Sequence, residues 1–248
     1  MIPEKLLVAI ETIIPKKSST VGRPRKSLSD IVNGIFFVLK TGCQWNSIPR
    51  IYGASSTIHG YFIKWCRMGI MDQIHALAAE HYEQKQKINN WFALDCSSKK
   101  APLANYSGKN PTDRGKRGIK HVLLVDRLGA PLAVDVIPAN IHDSKSFIPI
   151  LKSLKPSKEV RIIAADSAFD TKKLYKAAAA KNFALIACVN PRRNKTIKRT
   201  KVLHRWVVEQ TFGILSWFRG LKICSAKAKE SHLGFLQLAC SIRLFQMS

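Results

Sequence analysis

The sequence is poor in acidic residues. Only 16 of its 248 residues are Asp or Glu, against 41 Lys or Arg, which gives a formal net charge of +25 at pH 7. A surplus of this size attracts polyanions and drives non-specific binding to phosphate groups. We therefore expect nucleic acid as the partner, with an anionic membrane surface as a distant second.

Long apolar runs are also absent. No uninterrupted apolar stretch approaches the roughly 18 residues that a membrane span needs. The N-terminus lacks the apolar core and the small-residue cleavage site of a signal peptide. The sequence therefore predicts no membrane association and a cytoplasmic protein, associated with the nucleoid if its partner is DNA.

The six cysteines are not arranged for metal binding or for cross-linking. They form no Cys-x-x-Cys pair, and no His lies near them at the spacing of a zinc site. Hydrophobic residues make up 46% and charged residues 23% of the chain, as in ordinary globular proteins. Zinc fingers, disulfide scaffolds and wholesale disorder are thereby excluded.

Residues 1–88 have the pattern of an all-helical domain. Ser27 is placed to cap a helix whose apolar residues keep helical spacing as far as Gly42. Two further helices are predicted over about 55–69 and 71–87. Helices of this size with a short connection are typical of a helix-turn-helix DNA-binding domain, although any small helical bundle gives the same pattern.

Residues 89–248 change to an α/β pattern. The predicted strands cover 91–97, 121–126, 131–137, 160–166 and 183–189, and the predicted helices cover 144–154, 171–181, 205–218 and 230–245. A hairpin followed by strands that alternate with helices is typical of an α/β domain with a mixed sheet and flanking helices. Within it, Asp143 is expected to cap the first helix. Trp217 and Phe218 are expected in the core, with base stacking as the less favoured alternative.

Three carboxylates of this second region lie in apolar surroundings. Asp95 lies inside a predicted strand, Asp166 ends another, and Glu209 lies on a predicted helix among apolar residues. A desolvated carboxylate is costly unless it is paired or binds a metal ion. The three together are suited to hold divalent ions for phosphodiester chemistry. The alternative is that each neutralises one of the many nearby Lys or Arg residues.

Six segments carry a resemblance to a known family. In chain order they are GRPRKSLSDIVNGIFFVLKTGCQWNSIPRIYG, ALDCSSKKAP, NPTDRGKRGIKHVLLVDRLGAPLAV, ANIHDS, AADSAFD and RWVVEQTFGILSWFRGL. From about Gly22 to Phe245 the chain resembles the DDE transposases of bacterial insertion sequences, specifically the insertion-sequence-five family. It departs from the family at Val202, where a Tyr is frequent, and at Ser216, where a basic residue is usual.

The resemblance implies a ribonuclease-H-like catalytic domain at 89–248, preceded by the helical DNA-binding domain. It implies that Asp95, Asp166 and Glu209 hold two Mg²⁺ or Mn²⁺ ions. The reaction would be phosphodiester hydrolysis at the terminal inverted repeats of the element, followed by transfer of the freed 3′-hydroxyl into target DNA. Arg205, one helical turn before Glu209, would hold a phosphate or merely pair with the Glu. A homodimer on double-stranded DNA is expected.

Two basic segments are expected to contact DNA. One is the loop over 190–201, in which six like charges would gain little as a merely solvated surface. The other is GRPRK at 22–26, whose arginines are similar to those that enter a minor groove, although a flexible basic linker is the preferred interpretation. The expected contacts are Arg192, Arg193, Lys195, Lys198, Arg199, Lys201, Arg23, Arg25 and Lys26.

The competing hypothesis is a DNA-binding protein without activity, either a repressor or a domesticated remnant of a transposase. Such a protein would keep the basic surface but has no reason to keep three carboxylates in apolar surroundings. The complete acidic trio therefore favours the enzyme.

Overall fold

The structure, a computed structural model, describes residues 2–15, 26–86, 90–155, 158–189 and 205–248. Its helices are α1 (Glu4–Ile13), α2 (Leu28–Thr41), α3 (Ser55–Arg67), α4 (Ile70–Lys85), α5 (Phe147–Ser153), α6 (Lys172–Ala179), α7 (Trp206–Leu215) and α8 (Lys229–Met247). Its strands are β1 (Trp91–Lys100), β2 (Gly108–Lys109), β3 (Arg117–Asp126), β4 (Pro131–Pro138), β5 (Arg161–Ala165) and β6 (Phe183–Ala187). No helix within these ranges is long and apolar enough to cross a membrane.

The chain forms two compact units. The first combines Met1–Gln86 with Leu215–Ser248, and the second is Lys87–Ile214. Residues from Leu215 onward thus group with the N-terminal helices in this division, and the domain limits 1–88 and 89–248 stay a prediction. The last helix, α8, packs on α4, α3 and α1 instead of on the sheet.

The helical unit is built around α8. Residues on every side of this helix are buried, from Ser231 to Phe245, as in a helix enclosed by its neighbours. Phe235 stacks on Phe62 of α3 with ring centroids 4.4 Å apart, and the Cβ of any residue replacing Gly234 would lie 2.6 Å from the sulfur of Cys66. Because these contacts join positions far apart in the chain, periodicity alone did not predict them.

The predicted limits of α2 are confirmed. The Ser27 hydroxyl accepts a hydrogen bond from the backbone N–H of Asp30 at 3.1 Å, which satisfies one of the free donors of the first turn. Gly42 ends the helix with φ +67°, a left-handed conformation that glycine adopts without strain.

The second unit contains the expected mixed sheet. The strand order is β2-β3-β1-β5-β6, and β4 also pairs with β3. β1 is antiparallel to β3 and parallel to β5, and β5 is parallel to β6. The predicted hairpin is confirmed as β3 and β4. Alternation along β1 places Phe92 and Leu94 in a core shared with α5 and α6, so that Asp95 points to the opposite face.

Two local predictions are wrong. Asp143 does not cap a helix with its side chain, because a short 3-10 turn over Asp143–Ser146 precedes α5 and His142 is the capping residue. Trp217 is not in the core, because 83% of its surface is exposed. Its neighbour Phe218 does pack inward, edge-on to Phe36 with ring centroids 6.5 Å apart.

Candidate active site

Asp95 and Asp166 lie at neighbouring positions of adjacent strands. In the parallel pair formed by β1 and β5, Ala93 is opposite Ala164. Each aspartate comes two residues after this pair, and side chains two residues apart leave a strand on the same face. Paired strands are about 4.8 Å apart. The sheet therefore brings the two carboxyl groups together at one edge.

A backbone hydrogen bond orients each aspartate. One carboxylate oxygen of Asp95, Oδ1, accepts from the N–H of Cys96 at 2.7 Å. Oδ1 of Asp166 accepts from the N–H of Ala168 at 2.9 Å and caps the turn that follows β5. In each case the backbone fixes one carboxylate oxygen and leaves the other to side-chain or metal contacts.

Arg205 bridges Asp95 and the third acidic residue, Glu209. Its Nη1 donates to Oδ2 of Asp95 at 2.8 Å, and its Nη2 donates to Oε1 of Glu209 at 2.8 Å. The side chains of Asp95, Arg205 and Glu209 are 17%, 26% and 56% exposed. Arg205 immediately precedes α7, and Glu209 follows four residues later in the first turn of that helix, so that both side chains reach the same guanidinium–carboxylate cluster at Asp95.

The turn between β3 and β4 holds α7 in place. Thr211 of α7 donates its hydroxyl to the carbonyl of Gly129 at 2.9 Å. Gly129 has φ +85°, and a Cβ at this position would lie 2.9 Å from Oγ1 of Thr211 and 3.3 Å from Val207. The carboxylate of Asp126 accepts from the N–H of Ala130 at 2.9 Å and stabilises the turn. This support was not predicted, and the glycine of the turn is its one local signal in the sequence.

Burial changes the acidity of the site. Desolvation raises the pKa of Asp95 to about 6, aided by repulsion from Asp166 and Glu209 and opposed by the Cys96 N–H and Arg205. Desolvation also raises the pKa of Asp166, and repulsion from Asp143 adds to the increase. The hydrogen bond from the Ala168 N–H and the charges of Arg205 and His142 oppose it. The charged forms of both aspartates are thus costly, and an added cation would stabilise them.

A second ion pair lies beside Asp166. Nζ of Lys120 donates to Oδ1 of Asp143 at 2.7 Å and to the carbonyl of Ile141 at 2.8 Å. Nδ1 of His142 and the hydroxyl of Ser144 are 2.9 Å apart. Asp143 therefore pairs with Lys120 across 23 positions of sequence, a contact that sequence spacing does not reveal.

The donor set suits a divalent cation. Carboxylate oxygens are preferred ligands of Mg²⁺ and Mn²⁺, and three carboxylates against one guanidinium leave two negative charges without a partner in the cluster. Within the described part of the chain, no three His, Cys, Asp or Glu side chains are close enough to hold an ion as they stand. Arg205 instead occupies the space between Asp95 and Glu209.

Most of the expected DNA contacts lie outside the described residues. They are Arg192, Arg193, Lys195, Lys198, Arg199, Lys201, Arg23 and Arg25, and the departure at Val202 lies outside as well. Lys26 is described, and its ammonium group pairs with Asp30 at 2.9 Å on the exposed start of α2.

Two family models match the chain. The model described as "Putative transposase of IS4/5 family" matches residues 2–75, and the model described as "Transposase DDE domain" matches residues 92–244. The second match covers more than half of the chain and contains Asp95, Asp166, Arg205 and Glu209.

Two relatives come from Burkholderia cepacia. The "Putative transposase for insertion sequence element IS402" is 30% identical over 144 residues, which cover 55% of this chain and 67% of the relative. The "Insertion element IS402 uncharacterized 16.2 kDa protein" is 29% identical over 108 residues, 41% of this chain and 74% of the relative.

The fold is similar to that of a solved transposase. A piggyBac transposase in a synaptic complex with hairpin DNA aligns with a TM-score of 0.52 at 11% identity, over 99% of this chain and 71% of that one. Together with the match to the DDE domain, this likeness identifies the mixed sheet and its helices as a ribonuclease-H-like fold, as the sequence predicted.

Proposed function

We propose, from the premise that the chain belongs to the DDE transposases of insertion sequences, that Asp95, Asp166 and Glu209 bind its divalent metal ions. Family membership makes the chain a DNA nuclease and strand transferase that depends on a divalent metal. The identity of the ligands, the choice of Mg²⁺ or Mn²⁺ and the number of two ions are parts of the proposal.

The observation that supports the proposal is the position of Arg205. Its guanidinium joins a carboxylate of the sheet to a carboxylate of α7, and Asp166 lies on the strand next to Asp95. Two strands and a helix thus bring three acidic side chains to one place, with a single cation among them. A structural ion pair needs only one of the three carboxylates.

Asp95, Asp166 and Glu209 would each supply ligands to the metal ions. Bound metal ions activate a water molecule or a sugar hydroxyl and stabilise the leaving oxygen of a phosphodiester. Asp95 and Asp166 each present one oxygen that the backbone does not use, and Glu209 is exposed enough to reach an incoming ion. The backbone hydrogen bonds keep both aspartates oriented, which lowers the cost of ordering them when an ion binds.

Arg205 has two alternative partners in this proposal. Without metal it neutralises Asp95 and Glu209. Metal ions held by these carboxylates would take over that task, and the guanidinium would then be free to bind a phosphate through two parallel hydrogen bonds, which is the geometry that arginine favours. The pairing with Glu209 and the phosphate contact, which the sequence left as alternatives, are then two states of one side chain.

The proposed substrate is double-stranded DNA at the terminal inverted repeats of the element. Water first cuts the strand at the element end, and the freed 3′-hydroxyl then attacks target DNA, so that no covalent bond to the protein forms. The piggyBac structure contains DNA, which supports this substrate class. The segments 190–201 and 22–26 would contact the DNA backbone, and the helical unit would read the base sequence. The protein would act as a homodimer at the nucleoid.

The test compares four variants on a DNA carrying the element end. D95N, D166N and E209Q should each lose strand cleavage while DNA affinity changes by less than a few-fold, because binding rests on many Lys and Arg contacts elsewhere. D135N is the matched control. Asp135 on β4 also accepts from the next backbone N–H at 2.7 Å, but its register places it on the opposite face of the sheet from Asp95.

The two results have clear meanings. Loss of cleavage in the three variants with normal cleavage by D135N supports the assignment. Cleavage at the wild-type rate by D95N or D166N would contradict it, since an amide cannot replace an ionised carboxylate as a metal ligand without a large loss.

A further inference from the structure

The segment over residues 216–229 combines cations with exposed apolar side chains. It contains Arg219, Lys222, Lys227 and Lys229 and no acidic residue. Trp217 is 83% exposed and Ile223 is 54% exposed, although both are large and apolar. The segment follows α7, leads into α8 and belongs to the helical unit. Cations combined with an exposed aromatic side chain are typical of surfaces that bind single-stranded nucleic acid.

The rest of the helical unit does not share this charge. Residues 26–86 carry six Lys or Arg and four Asp or Glu, so their charges nearly balance. Within the described part of the chain, Arg219, Lys222 and Lys227 form no ion pair with a carboxylate. The positive field of the described helical unit is therefore concentrated in the 216–229 segment.

The backbone of the segment is held firmly. Gly220 lies against α2, where an added Cβ would come within 2.9 Å of the carbonyl oxygen of Leu39. Phe218 packs on Phe36, and Leu221 and Cys224 are buried. With these inward-facing residues as anchors, Trp217, Arg219 and Lys222 are presented outward from a fixed backbone. A preorganised surface loses less entropy on binding than a flexible one.

We propose that the 216–229 segment is a DNA-binding surface, in which Arg219, Lys222 and Lys227 hold backbone phosphates and Trp217 stacks on a base. This inference rests on the proposed function only in taking DNA as the substrate. Charge complementarity selects DNA as the occupant, because a second copy of this chain would bring another +25 to the same surface. Indole rings stack on all four bases, so the contact adds affinity without reading sequence.

The experiment uses the full-length protein and a duplex that has a single-stranded 3′ overhang. Tryptophan fluorescence is titrated with this DNA for the wild type and for W217F, so that the difference isolates Trp217 among the five tryptophans. DNA affinity is measured over a series of salt concentrations for W217A and for R219Q/K222Q. The matched controls are V8A, which trims another exposed apolar residue, and K5Q/K85Q, which removes two exposed lysines of α1 and α4.

We expect DNA to quench the Trp217 signal and W217A to bind at least about fivefold more weakly. R219Q/K222Q should make the slope of log affinity against log salt shallower by about 1.8, because each phosphate group that is no longer neutralised accounts for about 0.9. V8A should leave affinity unchanged, and K5Q/K85Q should leave the salt slope unchanged.

Two results would overturn the inference while the proposed function stands. One is wild-type protein that binds DNA without any change in the Trp217 signal or in the salt slope of R219Q/K222Q. The other is a W217A protein whose molar mass in light scattering falls from a dimer to a monomer without DNA, which would make the segment a contact between two copies. Failure of the wild type to bind DNA at any salt concentration would instead refute the proposed function.

Discussion

Replacement of Arg205 by glutamine is the most informative single change. If Arg205 occupies the place of a metal ion among Asp95, Asp166 and Glu209, its removal should lower the stability of the metal-free protein and raise the affinity for metal ions. A merely structural ion pair predicts only the first effect. The variant keeps a polar side chain of similar length, so that packing changes little.

The size of the first effect follows from exposure. The pair with Glu209 is half exposed and contributes about 0.5 kcal/mol. Breaking a fully buried pair costs about 3–5 kcal/mol, but Arg205 is a quarter exposed and Asp95 can take up a proton, so we expect about 1–2 kcal/mol for this contact. A total of about 2 kcal/mol should lower the Tm of the metal-free protein by roughly 4–8 °C.

The second effect follows from competition. In the wild type an ion must displace Arg205, and a displacement cost of about 1.4 kcal/mol weakens the metal Kd about tenfold. R205Q should therefore bind Mn²⁺ about tenfold more tightly, and saturating Mn²⁺ should raise its Tm by more than it raises that of the wild type. Cleavage should nevertheless fall about 100-fold, because a charged donor to the phosphate is removed.

Calorimetric titration with Mn²⁺ and thermal unfolding with and without Mn²⁺ measure these quantities. The matched control is R117Q, since Arg117 on β3 also makes two hydrogen bonds through its guanidinium, to Ser107 and Ala104. Equal Mn²⁺ affinity in the wild type and R205Q would refute the competition between Arg205 and metal, whatever the loss of cleavage.

Two further predictions concern the acidity and the support of the site. The folded-state pKa of Asp95 is raised to about 6 by desolvation, so the stability that this group contributes is present at low pH and is lost as pH rises through about 6. Mn²⁺ opposes that loss. The Tm increase caused by Mn²⁺ should therefore be larger at pH 7.5 than at pH 5, and D95N should show a smaller difference between the two pH values; the same increase of the wild type at both pH values would contradict the prediction. G129A should lower the free energy of unfolding in urea by about 2–3 kcal/mol, because it adds a strained left-handed alanine and a close contact of its Cβ with Thr211. The control G115A, with φ +70° and open space around the residue, should lower it by only about 1 kcal/mol. Equal losses would show that the contact with α7 contributes no stability.

Much of the catalytic unit could be predicted from the sequence because its signals are local. The strands alternate with helices at regular intervals, the hairpin has a glycine turn, and Asp95 and Asp166 stand out as carboxylates in apolar strands. Their meeting at one edge of the sheet follows from the parallel pairing of β1 and β5. The motif that contains Arg205 and Glu209 then indicates which helix must face them.

The features that the sequence missed all depend on contacts between distant positions. Asp143 lies just before a predicted helix, where an aspartate commonly caps the first turn, but its carboxylate pairs with Lys120 of β3 instead. Trp217 is a large apolar residue of the kind expected in a core, but it is exposed, and its neighbours Phe218 and Leu221 face inward instead. The packing of α8 on the N-terminal helices depends on a surface assembled from three other helices, which no window along the chain contains.

The charge distribution explains how a protein with a net charge of +25 can keep an acidic centre. The net positive charge of the whole protein attracts DNA, yet the local cluster of Asp95, Asp166 and Glu209 repels the phosphate group that must enter it. Without metal, the three carboxylates and Arg205 leave a net charge of two negative units, whereas two divalent ions held by the three carboxylates in place of Arg205 would leave one positive unit. Metal binding should thus decide whether a phosphate can enter the centre, while the basic surfaces decide whether DNA binds at all. Because the two tasks rest on different residues, the loss of cleavage and the loss of DNA binding can be separated by mutation.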